Sequence, residues 1–140
     1  MSCRTWLVLL SALLWASSVS TVHAGNNVWT SLGPGGGSVS ALAIDPATPT
    51  TLYAATRGGV FKSTTGGSSW SAVNTGLTST YVYALAIDLA TPTTLYASTG
   101  GGVFKSTTGG SSWSAVNTDL TNLFYIYALA VDPATPTFLG

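Results

Sequence analysis

The sequence predicts an all-β chain built from a repeated unit of four short antiparallel strands, entered through an export signal. Three observations carry this expectation. Residues 41–78 align without gaps to residues 84–121, and only four of the 38 positions differ: Pro46/Leu89, Ala55/Ser98, Arg57/Gly100 and Gly76/Asp119. The first period is 43 residues; a third copy opens at Ala128 after 44 and reads ALAVDPATPTFLG. A fixed period of about 40–45 residues marks stacked units or propeller blades, because one such unit cannot bury its own apolar faces. Finally, the segments between turns are short and rich in β-branched and aromatic residues, and none between residues 25 and 140 has helical periodicity.

The amino terminus reads as a secretory signal over residues 1–24. Arg4 supplies a positive start, Trp6 to Ala16 is apolar apart from Ser11, and Val22-His23-Ala24 offers the compact residues of a cleavage site. A membrane anchor needs about 20 apolar residues, roughly twice this run. A buried amphipathic helix would show a polar face, and none is present. Ahead of the first full copy, Val28-Trp29-Thr30-Ser31 echoes Trp70-Ser71 and Trp113-Ser114. The expected organisation is therefore a partial blade over 28–40, blades over 41–83 and 84–127, and a partial blade over 128–140.

Within one unit, Tyr81 to Ile87 alternates bulky and small side chains as a half-buried strand does. Asp45-Pro46-Ala47-Thr48-Pro49-Thr50 is turn chemistry, with aspartate accepting locally and proline presetting φ. Thr51 to Thr56 forms the second strand, Gly58-Gly59 the next turn, Val60 to Ser63 the third strand and Trp70 to Asn74 the fourth. Proline falls only in turns, as a sheet requires of a residue without an N–H.

Composition narrows the chemistry. The chain has four Lys/Arg, four Asp/Glu, one cysteine and one histidine. Cys3 and His23 both lie inside the signal. What remains holds Arg57, Lys62 and Lys105 against Asp45, Asp88, Asp119 and Asp132. That excludes disulfides, Cys or His zinc sites and Ser-His-Asp or Cys-His catalysis within one exported chain. Three scattered cations cannot neutralise many phosphates, so nucleic acid is not an expected partner. Apolar residues make up 46%, well above what disordered chains carry.

Ser63-Thr64-Thr65-Gly66-Gly67-Ser68-Ser69-Trp70 and its copy Ser106 to Trp113 resemble the Asp-box, or BNR repeat, of pattern Ser/Thr-x-Asp-x-Gly-x-Thr/Ser-Trp. Ser63, Gly67, Ser69 and Trp70 match; Thr65 stands at the aspartate position, as does Thr108 beside Ser106, Gly110 and Trp113 in the second copy. The wider string is similar to bacterial propellers of that superfamily, over most of residues 28–140. The resemblance implies radial blades, with the box as a hairpin between the third and fourth strands and its tryptophan packed into the blade. Closing a ring takes about four to eight four-stranded blades, so two whole and two partial blades make an incomplete β-propeller. Its remaining blades are expected from a longer chain or from self-association, and ending inside a strand favours the longer chain.

Residues present in every copy are expected to serve the fold. Asp45, Asp88 and Asp132 recur at one turn position and read as turn caps in preference to a divalent-cation site. Trp70 and Trp113 read as core, and Lys62 and Lys105 as solvated charges. Divergent positions are the candidates for ligand contact: Arg57, able to grip a carboxylate; Asp119; and Phe124 and Tyr125 in a longer, more aromatic connection. No catalytic residue, metal ligand or cofactor site is expected. The functional expectation is an exported, non-catalytic binding or structural module for a protein or glycan, without a membrane anchor. The alternative is a fragment of a sialidase-like or xyloglucanase-like glycoside hydrolase, since the resembled superfamily includes both. A role like that of photosystem II assembly factors lacks its basic patch here.

Overall fold

The computed structural model describes residues 33–121 and 125–134. The chain divides into two units, Met1–Thr30 and Ser31–Gly140, and every described residue belongs to the second. The expected export signal, the echo at 28–31, Phe124 and the end of the third copy lie outside the described residues.

Among the described residues, eight strands form two four-stranded sheets. The first holds β1 (Val39–Ile44), β2 (Leu52–Thr56), β3 (Gly59–Ser63) and β4 (Ser71–Ala72), paired in sequence order and antiparallel throughout. The second repeats it with β5 (Val82–Ile87), β6 (Leu95–Thr99), β7 (Gly102–Ser106) and β8 (Ser114–Ala115). The described residues contain no helix. These are two blades of an incomplete propeller.

Each blade is set by its turns. Between β1 and β2, the Asp45 carboxylate accepts from the Ala47 and Thr48 amides at 2.8 and 3.2 Å. Asp88 does the same for Ala90 and Thr91, and Asp132 accepts from Ala134. The recurring aspartates thus cap their own turns. Between β3 and β4, Ser63 Oγ accepts from Thr65 and Gly67, and Thr65 Oγ1 accepts from Ser69 at 2.9 Å. Ser106 and Thr108 copy this on Thr108, Gly110 and Ser112. A threonine hydroxyl therefore fills the acceptor place in both hairpins.

The fourth strand is shorter than the expected Trp70–Asn74. Its ladder stops at Ala72 because the next donor, Val60 N–H, is taken by the Asn74 side chain at 2.7 Å instead of by backbone. Asn117 ends β8 in the same way on Val103. The first strand begins at Val39 and Val82, ahead of the repeat boundary at Ala41 and Ala84. In each, one residue, Ser40 or Tyr83, forms a bulge against the neighbouring strand.

The core lies between the two sheets, where Tyr53, Ala55 and Val60 of the first meet Val82, Leu85, Phe104 and Trp113 of the second. Near-identical sequence makes the effect of a neighbour visible. Leu85 is 9% exposed on β5, whereas its counterpart Leu42 on β1 is 67% exposed. Burying a leucine is worth about 1.5–3 kcal/mol, so blade docking is a main source of stability. The outer half of the interface is made by the second hairpin. Trp113 is 4% exposed, its amide donates to Thr75 O at 2.9 Å and its indole N–H to Val73 O at 2.8 Å. Tyr53 and Lys62 both donate to Gly109 O, at 3.3 and 3.1 Å. Trp70, expected in the core, is only half-buried and bonds its own hairpin at Gly67 O. Lys62 and Lys105, expected to be solvated, are half-buried over the rings of Tyr53 and Tyr96 at 5.3 and 5.4 Å.

Gly76, at φ +97°, lies against the Trp113 backbone, and any side chain there would overlap the Trp113 carbonyl. Gly76→Ala should lower unfolding free energy by about 3 kcal/mol, combining left-handed strain with overpacking. Gly66→Ala, at φ +65° in open space, should cost only about 1 kcal/mol. Urea titrations check this, and equal losses would contradict the interface described.

Candidate functional site

The innermost strands start at one end of the blades, and the turn between the second and third strands lies at that same end. β1 opens with Val39 opposite Thr56, so Arg57, next after Thr56, comes beside Ser38 and Ser40. Thr56 fixes that turn, its hydroxyl donating to Gly59 O and accepting from the Gly58 amide, both at 3.0 Å. A cavity of about 520 Å³ opens here, lined by Ser38, Ser40, Arg57, Tyr81, Val82, Tyr83, Tyr125 and Tyr127.

Four tyrosines make its wall. They come from equivalent places: Tyr81 and Tyr125 align with Ser38, and Tyr83 and Tyr127 with Ser40. Tyr83 occupies the bulge of β5, which re-aims its ring. Tyr83 is the hub, with ring centroids 5.3 Å from Tyr81, 5.7 Å from Tyr125 and 5.5 Å edge-on from Tyr127. Tyr125 and Tyr127 stack at 6.2 Å and remain 61% and 69% exposed. Arg57 closes one end, its guanidinium carbon 5.2 Å above the Tyr81 ring. At the aligned position the second blade has Gly100, where a side chain would crowd Ser79 and approach the Tyr83 hydroxyl. Partial burial, and then the neighbouring phenols Tyr125, Tyr127 and Tyr81, hold Tyr83 above its ordinary pKa of 10.0, while Arg57 pulls it down.

The Ala55/Ser98 difference has a role in this arrangement. In the first blade, Ser40 donates across to Val82 O at 2.8 Å. In the second, the bulge position is Tyr83, and Ser98 supplies the missing donor, to Ile126 O at 2.6 Å. Val82 and Ile126 are equivalent, so one interblade hydrogen bond is kept by moving its serine one strand over. That frees the bulge for a tyrosine and pins the segment bearing Tyr125 and Tyr127.

Of the divergent candidates, Arg57 and Tyr125 come together in this cavity. Tyr125 has φ 66° and Asp119 φ 69°. Asp119 is exposed and lies outside the lining, at the place where the first blade needs Gly76. Phe124 is outside the described residues. Tyr81, Tyr83, Tyr127, Ser38 and Ser40 were not singled out by divergence; the signal for the tyrosines is the Tyr-x-Tyr doublet just ahead of the repeat boundary in two successive copies. Among the described residues no group of three His, Cys, Asp or Glu gathers to hold a metal.

No family model matches the chain, and no curated protein matches it. Solved structures do. An ancestral GH74 enzyme shares 34% identity over 66% of this chain and 12% of its own, at TM-score 0.54. The Niastella koreensis GH74 enzyme shares 27% identity over 69% of this chain and 17% of its own, at TM-score 0.53. GH74 enzymes are β-propeller glycoside hydrolases. The chain thus spans less than a fifth of the length of either enzyme, and the likeness fits the propeller fold.

Two outcomes check the site. Ser98→Ala should cost about 1 kcal/mol in urea unfolding, the usual worth of one hydrogen bond, and broaden the Tyr125 and Tyr127 ring resonances; unchanged resonances would contradict the pinning role. In a spectrophotometric titration, the difference between the unaltered protein and Tyr83→Phe should be a phenol that ionises above 10.0. A raised pKa favours the protonated phenol in the folded state, so its stabilisation is complete below the unfolded pKa and is lost as pH rises through the folded one.

Proposed function

We propose that residues 33–134 are a glycan-binding segment of an exported, Asp-box-like propeller and are non-catalytic in themselves. The observation that carries this is the four-tyrosine wall around Tyr83. Its exposed rings offer flat apolar faces to the C–H faces of pyranose rings, with phenol and serine hydroxyls at the edges for sugar hydroxyls. A cleft of this size that combines aromatic faces with convergent polar groups has the form of a small-ligand site. Ser63, Thr65, Gly67 and Trp70, with Ser106, Thr108, Gly110 and Trp113, act as the structural boxes, threonine taking the part of aspartate. Likeness to glycoside hydrolases supports a carbohydrate over a protein ligand.

A second reading is favoured by the same likeness: the segment belongs to a longer glycoside hydrolase. Hydrolysis needs two carboxyl groups about 5–9.5 Å apart across the bond. Asp45, Asp88 and Asp132 are engaged in their own turns, so the acids would come from other blades and the tyrosines would hold the glycan chain.

Calorimetry against neutral gluco- and xylo-oligosaccharides and uronic-acid oligosaccharides tests the reading. At least one should bind the full chain, and Tyr83→Ala and Tyr127→Ala should each weaken it about tenfold, the scale of one lost aromatic contact. Binding by none of them, or binding indifferent to both substitutions, would overturn it.

A further inference from the structure

Charge is unevenly placed along the blades. The three turn aspartates follow the ends of the inner strands, whereas Arg57 lies where those strands begin. β1 spans six residues, or about 20 Å, more than twice the Debye length of about 8 Å at physiological salt. No carboxylate lines the tyrosine cavity. The fourth acid, Asp119, sits on the connection after β8, outside that lining. Arg57 is exposed, its guanidinium carbon 5.2 Å from the centre of the Tyr81 ring, and a guanidinium carries a planar fork of N–H donors suited to a carboxylate. At the aligned place beside Tyr83 stands Gly100, so the cavity is cationic at one end and bare aromatic at the other.

We infer that this cavity takes an acidic oligosaccharide, its carboxylate on Arg57 and its following sugar rings across Tyr81 and Tyr83 toward Tyr127, an inference that rests on the glycan reading above. The guanidinium matches a carboxylate with two parallel hydrogen bonds. The tyrosine and serine hydroxyls add donors and no competing negative charge. One carboxylate lies at the first blade and the remaining rings extend toward the third copy.

Trigalacturonate and its fully methyl-esterified form are the probes, since esterification keeps the rings and removes the charge. The acid should bind the full chain about tenfold more tightly than the ester at low salt, the scale of one charge-assisted pair, with the preference shrinking as salt rises. Arg57→Gln should abolish the preference for acid over ester, and Arg57→Lys should keep part of it. Equal binding of acid and ester to the unaltered protein would overturn the inference and leave the glycan reading standing. An acid preference that survives Arg57→Gln would overturn the placement, and acetate binding as tightly as the trisaccharide would show an anion site without sugar recognition. Binding of neither probe, nor of any neutral oligosaccharide, would take down the glycan reading as well.

Discussion

Everything in this molecule depends on one contact: the Trp113 hairpin of the second blade seated on the outer edge of the first. Two N–H groups of one residue, its amide and its indole, donate into the Val73–Thr75 backbone. The bare Cα of Gly76 lets the backbones approach. A four-stranded sheet of this length is a thin plate with two apolar faces and cannot protect both. The hairpin turns each plate into a surface for the next, which is why the same leucine is covered on β5 and wet on β1. The tyrosine cavity follows from this docking. It is assembled from two inner strands, β1 and β5, and the segment after β8, which share an end only because the blades are stacked.

The repeat keeps its symmetry where docking requires it and departs from it where the cavity does. Ser40 with Ala55, and Tyr83 with Ser98, are two ways of satisfying the equivalent carbonyl of the following unit, Val82 or Ile126. The second way leaves the bulge free to carry an aromatic ring. Arg57 and Gly100 divide the cavity into unlike ends at the cost of no strand pairing, since both occupy the exposed place in the same two-residue turn. Asp119 departs where the first blade is most constrained, so the flank of the second blade offers a different edge from the one that receives Trp113.

Much of the architecture was legible in the residues. Strand number, order and turn chemistry follow from the repeat and from the placing of Asp, Pro and Gly, and the turn role of Asp45 and Asp88 follows from their recurrence. The early end of β4 was not legible, because it depends on an asparagine side chain displacing a backbone acceptor. The difference between Trp70 and Trp113 was not legible either, since identical octapeptides differ only in whether a blade lies beside them. The site was half visible. Divergence pointed to Arg57 and Tyr125, but the larger part of the wall comes from tyrosines at repeat-equivalent positions. Their meeting is a product of bulge geometry and interblade stacking that no single strand displays.

The docking contact is read most directly by labelling with 5-fluorotryptophan and following each indole by fluorine NMR, with assignments from Trp70→Phe and Trp113→Phe. Trp113 should be shielded from a soluble paramagnetic quencher and Trp70 readily reached by it. Equal accessibility of the two indoles would mean that the blades do not stack through this hairpin.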